Sequence, residues 1–206
     1  MKDIVIAVIQ CFEGLLRMRL GKGVPTTEDC VRYTFFAALL HEGLVQPEEM
    51  VMEHSLSPDD AKRIDTVIVD ANLRPIVAIE FKYDKRIPGP GNLPRTQKAG
   101  SVFKDMARLL RFPCVERAMI HLSDRECAGY WRNPANGLQC IFDLAVGGSQ
   151  LIEESLFRNR SSTLQRSMGG GWPQPAIVTC LASTELPHSH HLRIYRIEPA
   201  PFGYVA

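Results

Sequence analysis

The segment from Arg63 to Lys82, RIDTVIVDANLRPIVAIEFK, constrains the fold more than any other part of the chain. Two runs rich in Val and Ile flank the stretch DANLR, which contains the turn-forming residues Asp and Asn. The second run is apolar at almost every position, as is typical of a strand buried on both faces of a sheet. The segment therefore predicts a two-stranded β-hairpin whose second strand is buried.

Charged residues stand at neighbouring ends of the two predicted strands. Successive side chains of a strand point to opposite faces, so Glu80 and Lys82 face the same space. Folding the hairpin back brings Asp65 close to both. Two carboxylates at strand ends provide hard oxygen ligands suited to Mg²⁺ or Mn²⁺, and a neighbouring ammonium can orient a water. The hairpin therefore predicts a divalent-metal site with a lysine beside it.

This arrangement resembles the PD-(D/E)XK nuclease superfamily, in which a helix Glu and a strand Asp precede Glu-x-Lys on the next strand. The matching residues are Glu28, Asp65, Glu80 and Lys82. The resemblance implies a metal-dependent nuclease, with an endonuclease favoured, that hydrolyses DNA phosphodiester bonds and uses all four residues in catalysis. It also implies that Mg²⁺ or Mn²⁺ is held by Asp65, Glu80 and the main-chain carbonyl of Phe81. The Pro that often precedes the strand Asp is absent, because Ile64 occupies that position.

The fold that the resemblance implies is the restriction-endonuclease-like αβββαβ core, a mixed central sheet flanked by helices. Some nucleases of this fold place a Gln-x-x-x-Tyr motif on the helix after the site. Gln97 matches the Gln of that motif, whereas Ser101 replaces the Tyr. Many nucleases of this fold pair up to cut both strands, so the resemblance allows a homodimer, although no sequence feature establishes one.

Apolar spacing along the chain predicts the other elements. We expect helices at about 2–20 and 27–43, a strand at 50–54, the hairpin, a helix at 95–111 and a strand at 117–122, in the αβββαβ order. Beyond about residue 146 we expect a helix at 149–158 and strands at 176–182 and 191–197, which either extend the main sheet or form a lobe of their own. The sequence predicts a single α/β domain over 1–206, with a core at about 1–145 and a C-terminal α/β extension at about 146–206.

Basic residues are concentrated directly after the Glu-x-Lys strand. Residues 82–111 include eight Lys or Arg and two acids, although the formal net charge of the whole chain is only +1. A local positive excess favours a polyanionic substrate, because each phosphate that is neutralised releases counterions. We expect Lys85, Arg86, Gln97 and Lys98 to contact DNA. The alternative is an exposed helix face with solvated charges.

Two interpretations without catalysis remain open. Glu-x-Lys alone is a common exposed strand pair worth at most about 1 kcal/mol, and an acid such as Glu28 in a first helical turn complements the helix dipole. The chain could thus be a nuclease-like fold that binds DNA without cutting it, or a protein-interaction domain with charges on its hairpin. The sequence does not distinguish DNA from RNA.

Cysteine usage indicates a cytoplasmic protein with reduced thiols. Six cysteines form no Cys-x-x-Cys pair, which argues against a structural zinc site. His188, His190 and His191 lie in a polar stretch that we predict to be an exposed loop rather than a metal site. No segment is long enough to span a membrane, and the first twenty residues fit an amphipathic helix better than a signal peptide.

Overall fold

Two helices open the protein, which is described by a computed structural model over residues 3–55, 63–86 and 94–201. They are α1 (Ile4–Gly21) and α2 (Glu28–His41), and the side chains of Asp3 and Thr27 cap their N-termini by accepting main-chain N–H groups. In α1 the buried residues recur every three or four positions: Val5, Val8, Phe12, Leu16 and Leu20. This spacing gives the helix one apolar face. Both predicted helices are confirmed.

A seven-stranded mixed sheet forms the centre of the described part of the chain. Its strands are β1 (Met50–Ser55), β2 (Arg63–Val69), β3 (Pro75–Asp84), β4 (Glu116–Ser123), β5 (Ser149–Ile152), β6 (Ala176–Leu186) and β7 (His190–Pro199). They are ordered β1-β2-β3-β4-β7-β6-β5. The predicted α/β class with helices on a mixed sheet is confirmed. The last strands extend the main sheet, because β7 pairs directly with β4.

The parallel pairing of β3 with β4 places the second half of β3, which contains Glu-x-Lys, at the end of the sheet where both strands have their carboxyl ends. Parallel strands cannot be joined by a tight turn, so the chain crosses one face of the sheet through α3 (Arg95–Arg111). The carboxyl ends of β3 and β4 consequently lie at the same edge of the sheet. Glu80 and Lys82 of β3 are paired with Met119 and His121 of β4. The Glu-x-Lys segment therefore approaches a sheet edge beneath α3.

Apolar side chains fill both faces of the sheet. On one face α2 packs against β3, with the ring of Phe35 5.6 Å from that of Phe81, and α1 packs against α2 and β6. On the other face Phe103 of α3 contacts the rings of Trp131, Phe157 and Trp172 at centroid distances of 4.9–6.4 Å. Since β3 is covered on both faces, its sequence is nearly continuous in apolar residues.

Four shorter α-helices and three short 3₁₀ turns, Pro47–Glu49, Pro134–Asn136 and Pro187–Ser189, complete the described elements. The α-helices are α4 (Arg125–Arg132), α5 (Gln139–Phe142), α6 (Glu154–Arg158) and α7 (Ser162–Met168). The helix predicted at 149–158 is wrong in its first half, where β5 pairs with β6, because a four-residue strand is too short to show a period. The strand predicted at 191–197 is confirmed within β7, but the exposed-loop prediction is wrong for His190, which begins that strand, and for His191, which is buried. None of the helices described is sufficiently long and apolar to cross a membrane.

Candidate active site

The pairing of β2 with β3 brings Asp65 next to Glu80. Thr66 lies opposite Ile79 in this antiparallel pair, so the adjacent position sets Asp65 against Glu80, with both side chains on one face. The Asp65 Oδ2 atom also accepts a hydrogen bond of 2.8 Å from the main-chain N–H of Phe81. This bond fixes the orientation of the Asp65 carboxylate beside the second strand.

Glu80 is fully buried and is held by an arginine from α3. Its two carboxylate oxygens accept hydrogen bonds from Nε and Nη2 of Arg108, at 2.7 and 2.8 Å. Burial and the negative charges of Asp65 and Asp105 raise the pKa of Glu80 well above its usual value, against the opposing effect of Arg108. Glu80 is therefore a carboxylate whose charge depends on nearby cations.

Lys82 lies between two carboxylates. Its Nζ atom is 3.1 Å from Oδ2 of Asp105 and 3.7 Å from Oε1 of Glu28. Burial alone would lower the pKa of Lys82, but these two acids raise the pKa above its ordinary value. Asp105 also accepts a 2.7 Å hydrogen bond from Arg108, and burial raises the pKa of Asp105. Lys82 is thus held as an ammonium at neutral pH.

Glu28 joins this group from α2. It is the first residue of the helix, and its Oε2 atom accepts a 2.9 Å hydrogen bond from the main-chain N–H of Tyr83. Burial raises the pKa of Glu28, while Lys82 opposes that rise. The acid therefore occupies a first helical turn, where the helix dipole favours it, and also contacts β3 next to Lys82.

A second arginine, Arg32 of α2, balances the charge of Asp65. Its Nη2 atom lies 3.3 Å from Oδ1 of Asp65, and its Nη1 atom lies 2.9 Å from Oε1 of Glu53. Glu53 belongs to β1, and its φ of 52° is in the left-handed region that residues other than glycine rarely adopt. The edge strand is therefore strained at the residue that contacts Arg32.

The cluster has more acidic than basic groups. It contains four carboxylates, from Glu28, Asp65, Glu80 and Asp105, and three cationic groups, from Arg32, Lys82 and Arg108. Burial is the largest cause that raises the pKa values of three of these acids, Glu28, Glu80 and Asp105, and repulsion from neighbouring carboxylates raises them further. Carboxylate oxygens are hard ligands and suit Mg²⁺ or Mn²⁺. These ions complete their coordination with water and phosphate oxygens.

The number of carboxylates available to one ion is limited. Among the described residues, no three of these acids place ligand atoms within 4.8 Å of one another. One ion would therefore take at most two carboxylates in the observed arrangement. Asp65 and Glu80 are the pair that the strand register sets side by side. A main-chain carbonyl, waters and substrate would supply the other ligands.

A cavity of about 390 Å³ lies next to the cluster. Its lining includes Glu28, Lys82, Tyr83, Lys85, Gln97 and Lys98. Its volume falls in the range of small-ligand sites, about 300–1,000 Å³. Three of the four residues predicted to contact substrate line this cavity together with two of the predicted catalytic residues. The cavity thus gives a ligand access to Lys82 and Glu28.

The predicted DNA-contacting residues differ in their surroundings. Lys85 donates a 2.8 Å hydrogen bond to the carbonyl of Thr26, and Lys98 donates to the carbonyl of Lys85. Arg86 is outside the described lining of the cavity and forms a 2.8 Å ion pair with Glu126. The basic run after β3 is therefore divided between cavity, acidic cluster and surface rather than forming one continuous patch.

Three members of the cluster were not predicted as site residues: Arg32, Asp105 and Arg108. Asp105 does leave a signal, since it is an acid beside Met106 within the inward apolar face of α3, and a buried charge requires a partner. Arg108 follows three positions later, on the same side of the helix. Arg32 leaves no local signal, because its partner Asp65 belongs to a distant strand.

Comparison with protein-family models, with curated proteins and with solved structures finds no match for this chain. The resemblance to the nuclease superfamily stays a prediction based on the residues themselves. Among the four positions that the superfamily pattern assigns, Lys82 contacts Glu28 directly and Asp65 lies opposite Glu80 in the strand register. Glu80 is connected to Lys82 only indirectly, through Arg108 and Asp105.

Proposed function

We propose that the protein is a metal-dependent nuclease that hydrolyses phosphodiester bonds in DNA and has a restriction-endonuclease-like core. The observation that supports it best is the meeting of Asp65 and Glu80 on paired strands, with Lys82 next on β3 and facing a cavity that also contains Lys85 and Lys98. Hard oxygen ligands, an ammonium and basic groups for phosphate are the components that hydrolysis of a phosphodiester requires.

Asp65, Glu80 and the main-chain carbonyl of Phe81 would hold Mg²⁺ or Mn²⁺. A bound ion would polarise a phosphoryl oxygen and acidify a coordinated water. The carboxylate of Asp65 is already oriented, since it accepts the N–H of Phe81. Outer contacts of this kind fix ligand geometry before a metal or substrate arrives.

Lys82 would act on the phosphate as an ammonium. Because Asp105 and Glu28 raise the pKa of Lys82, it can donate hydrogen bonds to water and phosphate oxygens but cannot remove a proton from water at neutral pH. Its positive charge would offset the charge that develops at phosphorus. Glu28 lines the cavity and can accept a hydrogen bond from water, while Gln97 and the nearby lysines would contact the nucleic-acid backbone.

Cleavage assays with point variants test this proposal. Supercoiled plasmid, single-stranded DNA and RNA are each incubated with the protein in Mg²⁺, Mn²⁺ or a chelator. We expect the wild type to cleave DNA only with metal, and Asp65→Ala and Lys82→Ala to abolish this cleavage while circular dichroism shows an intact fold. Lys104→Ala is the matched control, because Lys104 is an exposed lysine of α3. Wild-type rates in either site variant, or cleavage in chelator, would contradict the proposal.

The bidentate contact of Arg108 with Glu80 favours a second candidate function, DNA binding without cleavage. Both oxygens of Glu80 already accept hydrogen bonds, so Arg108 competes with a metal for this carboxylate. A silent nuclease-like domain would bind DNA in a salt-sensitive manner and hydrolyse nothing with any metal. Fluorescence anisotropy with labelled DNA at low and high salt, measured beside the cleavage assay, separates the two functions.

A further inference from the structure

A cluster of three metal-ligating side chains lies between the first two helices, apart from the candidate active site. It consists of Cys11 from α1, and of His41 and Glu42 from the end of α2. The Sγ, imidazole nitrogen and carboxylate oxygen atoms all lie within 4.8 Å of one another. Among the described residues, no other three His, Cys, Asp or Glu side chains converge this closely.

The packing of α1 on α2 produces this convergence. The rings of Phe12 and Phe35, one from each helix, lie 5.2 Å apart in the core beneath the cluster. Cys11 directly precedes Phe12 and is partly buried, whereas His41 and Glu42 are exposed. The core contact therefore holds the thiol in place, while the other two side chains have rotational freedom toward it.

We propose that Cys11, His41 and Glu42 form a Zn²⁺-binding site, with a water molecule as the fourth ligand. Cysteine spacing argues against a zinc site built from Cys-x-x-Cys pairs, but this set takes a single cysteine from α1 and its other ligands from the end of α2. Thiolate, imidazole and carboxylate are the three side-chain ligands that Zn²⁺ takes, with bonds of about 2.0–2.3 Å. Tetrahedral geometry with such bonds sets ligand atoms about 3.5 Å apart. The ligand atoms already lie within 4.8 Å of one another, and rotation of the exposed side chains of His41 and Glu42 would bring them to this spacing. A thiolate–imidazole set favours Zn²⁺ over Mg²⁺, which prefers oxygen.

Zn²⁺ binding at this site requires the Cys11 thiol to lose its proton. Burial raises the pKa of the Cys11 thiol, and the adjacent Glu42 carboxylate raises it further. The thiol is therefore protonated at neutral pH before metal arrives, and binding releases a proton. The affinity for Zn²⁺ should accordingly rise as the pH is increased from about 6 to about 8.

The proposed Zn²⁺ site joins α1 to α2, the helix that also carries two residues of the candidate active site. α2 carries Glu28 and Arg32 in its first turns and ends at His41. A Zn²⁺ ion bound to Cys11 and His41 would cross-link α1 to α2, and so hold the helix that presents Glu28 to β3. The site itself shares no residue with the acidic cluster, so the proposed nuclease activity is not needed for Zn²⁺ to bind.

Co²⁺ provides a direct spectroscopic test with tag-free protein. Thiolate coordination to Co²⁺ gives a near-ultraviolet charge-transfer band, and tetrahedral geometry gives intense visible bands. We expect one equivalent of Co²⁺ to produce both, and Zn²⁺ to abolish them. Absence of the charge-transfer band in the wild type would overturn the proposal.

Point variants test whether these side chains are the metal ligands. Zn²⁺ affinity is measured by competition with a chromophoric chelator. The nearly isosteric Cys11→Ser and the variant His41→Ala should each weaken Zn²⁺ binding by about tenfold or more. Even the loss of a group that only contacts a metal ligand costs about 10- to 100-fold in affinity. Cys140→Ser, at an exposed cysteine, is the matched control. Asp65→Ala should leave the cobalt bands unchanged, whatever it does to DNA cleavage. Wild-type affinity in both Cys11→Ser and His41→Ala would overturn the proposal.

Discussion

Replacing Arg108 by Ala should destabilise the protein, because the change removes a guanidinium from two buried carboxylates. Arg108 donates two hydrogen bonds to Glu80 and one to Asp105. Asp105 would retain Lys82 as an ion-pair partner at 3.1 Å. Glu80 has no exposed surface, so water cannot replace the lost guanidinium unless the site opens.

The size of the effect follows from the burial of the pair. Removing one partner of a buried ion pair typically costs about 3–5 kcal/mol. The side chain of Arg108 is 19% exposed, so it is partly solvated, and we expect the lower part of this range, about 3–4 kcal/mol at pH of about 8. For a chain of this length, such a loss lowers the melting temperature by about 6–16 °C.

The loss should depend on pH, because protonation of Glu80 removes its buried charge. The pKa of Glu80 is already raised in the folded protein. Since Arg108 lowers this pKa, removing Arg108 would raise the pKa of Glu80 further. A carboxyl group with a raised folded pKa contributes stability that is complete below its unfolded pKa, about 4.3, and is lost as the pH rises through the folded pKa. The deficit of Arg108→Ala should therefore be smaller at pH of about 5 than at pH of about 8.

Urea unfolding monitored by circular dichroism at these two pH values measures the difference in free energy of unfolding between Arg108→Ala and the wild type. Arg111→Ala is the matched control, since Arg111 is exposed at the end of the same helix, and its effect should be within about 0.5 kcal/mol. Adding Glu80→Gln to Arg108→Ala should recover part of the loss by removing the buried charge. A deficit for Arg108→Ala below about 1 kcal/mol at both pH values would refute this reasoning.

Two further pairs of substitutions, measured by thermal unfolding, test the packing of the helices. In α3, Gly100→Ala places a Cβ 2.6 Å from the Leu164 carbonyl oxygen of α7 and should lower the free energy of unfolding by about 1–3 kcal/mol. In α4, the Cβ of Gly129→Ala meets no atom within 4 Å, so this variant should be neutral or more stable by up to about 1 kcal/mol. Equal effects would show that α3 and α7 are not in close contact. Phe103→Ala removes a fully buried ring and should cost about 3–5 kcal/mol, whereas Tyr33→Ala, at a residue 58% exposed, should cost less than about 1 kcal/mol. A loss for Phe103→Ala no larger than for Tyr33→Ala would contradict the placement of the aromatic core.

Local patterns were sufficient to locate the longer elements. The hairpin, α3 and β4 lie where strand and helix spacing predicted them, because each is long enough for its period to show. Helix α4 was missed, although Asp124 provides an N-cap signal before the buried residues Cys127, Ala128 and Trp131. Its eight residues make only about two turns, which is too few for a reliable periodicity.

The position of the C-terminal strands could not be derived from local patterns. Two of the strands were predicted, but not that β7 would pair with β4 and continue the sheet. Strand pairing between distant segments depends on which faces remain uncovered after the rest of the chain has packed. For the same reason the burial of His191, the first residue of the strand predicted at 191–197, does not follow from the sequence.

The sequence by itself determined which residues of the hairpin carry charge and that Glu80 and Lys82 share one face, since the alternation of side chains along a strand is a local property. The register of β2 against β3, seen only in the structure, adds Asp65 to that face. Only the tertiary structure decided their partners: Arg32 for Asp65, Arg108 for Glu80, and Asp105 for Lys82. Each partner comes from a helix outside the hairpin. The energy of a buried charge depends on the groups around it in space, so its partner is chosen by packing and not by spacing along the chain.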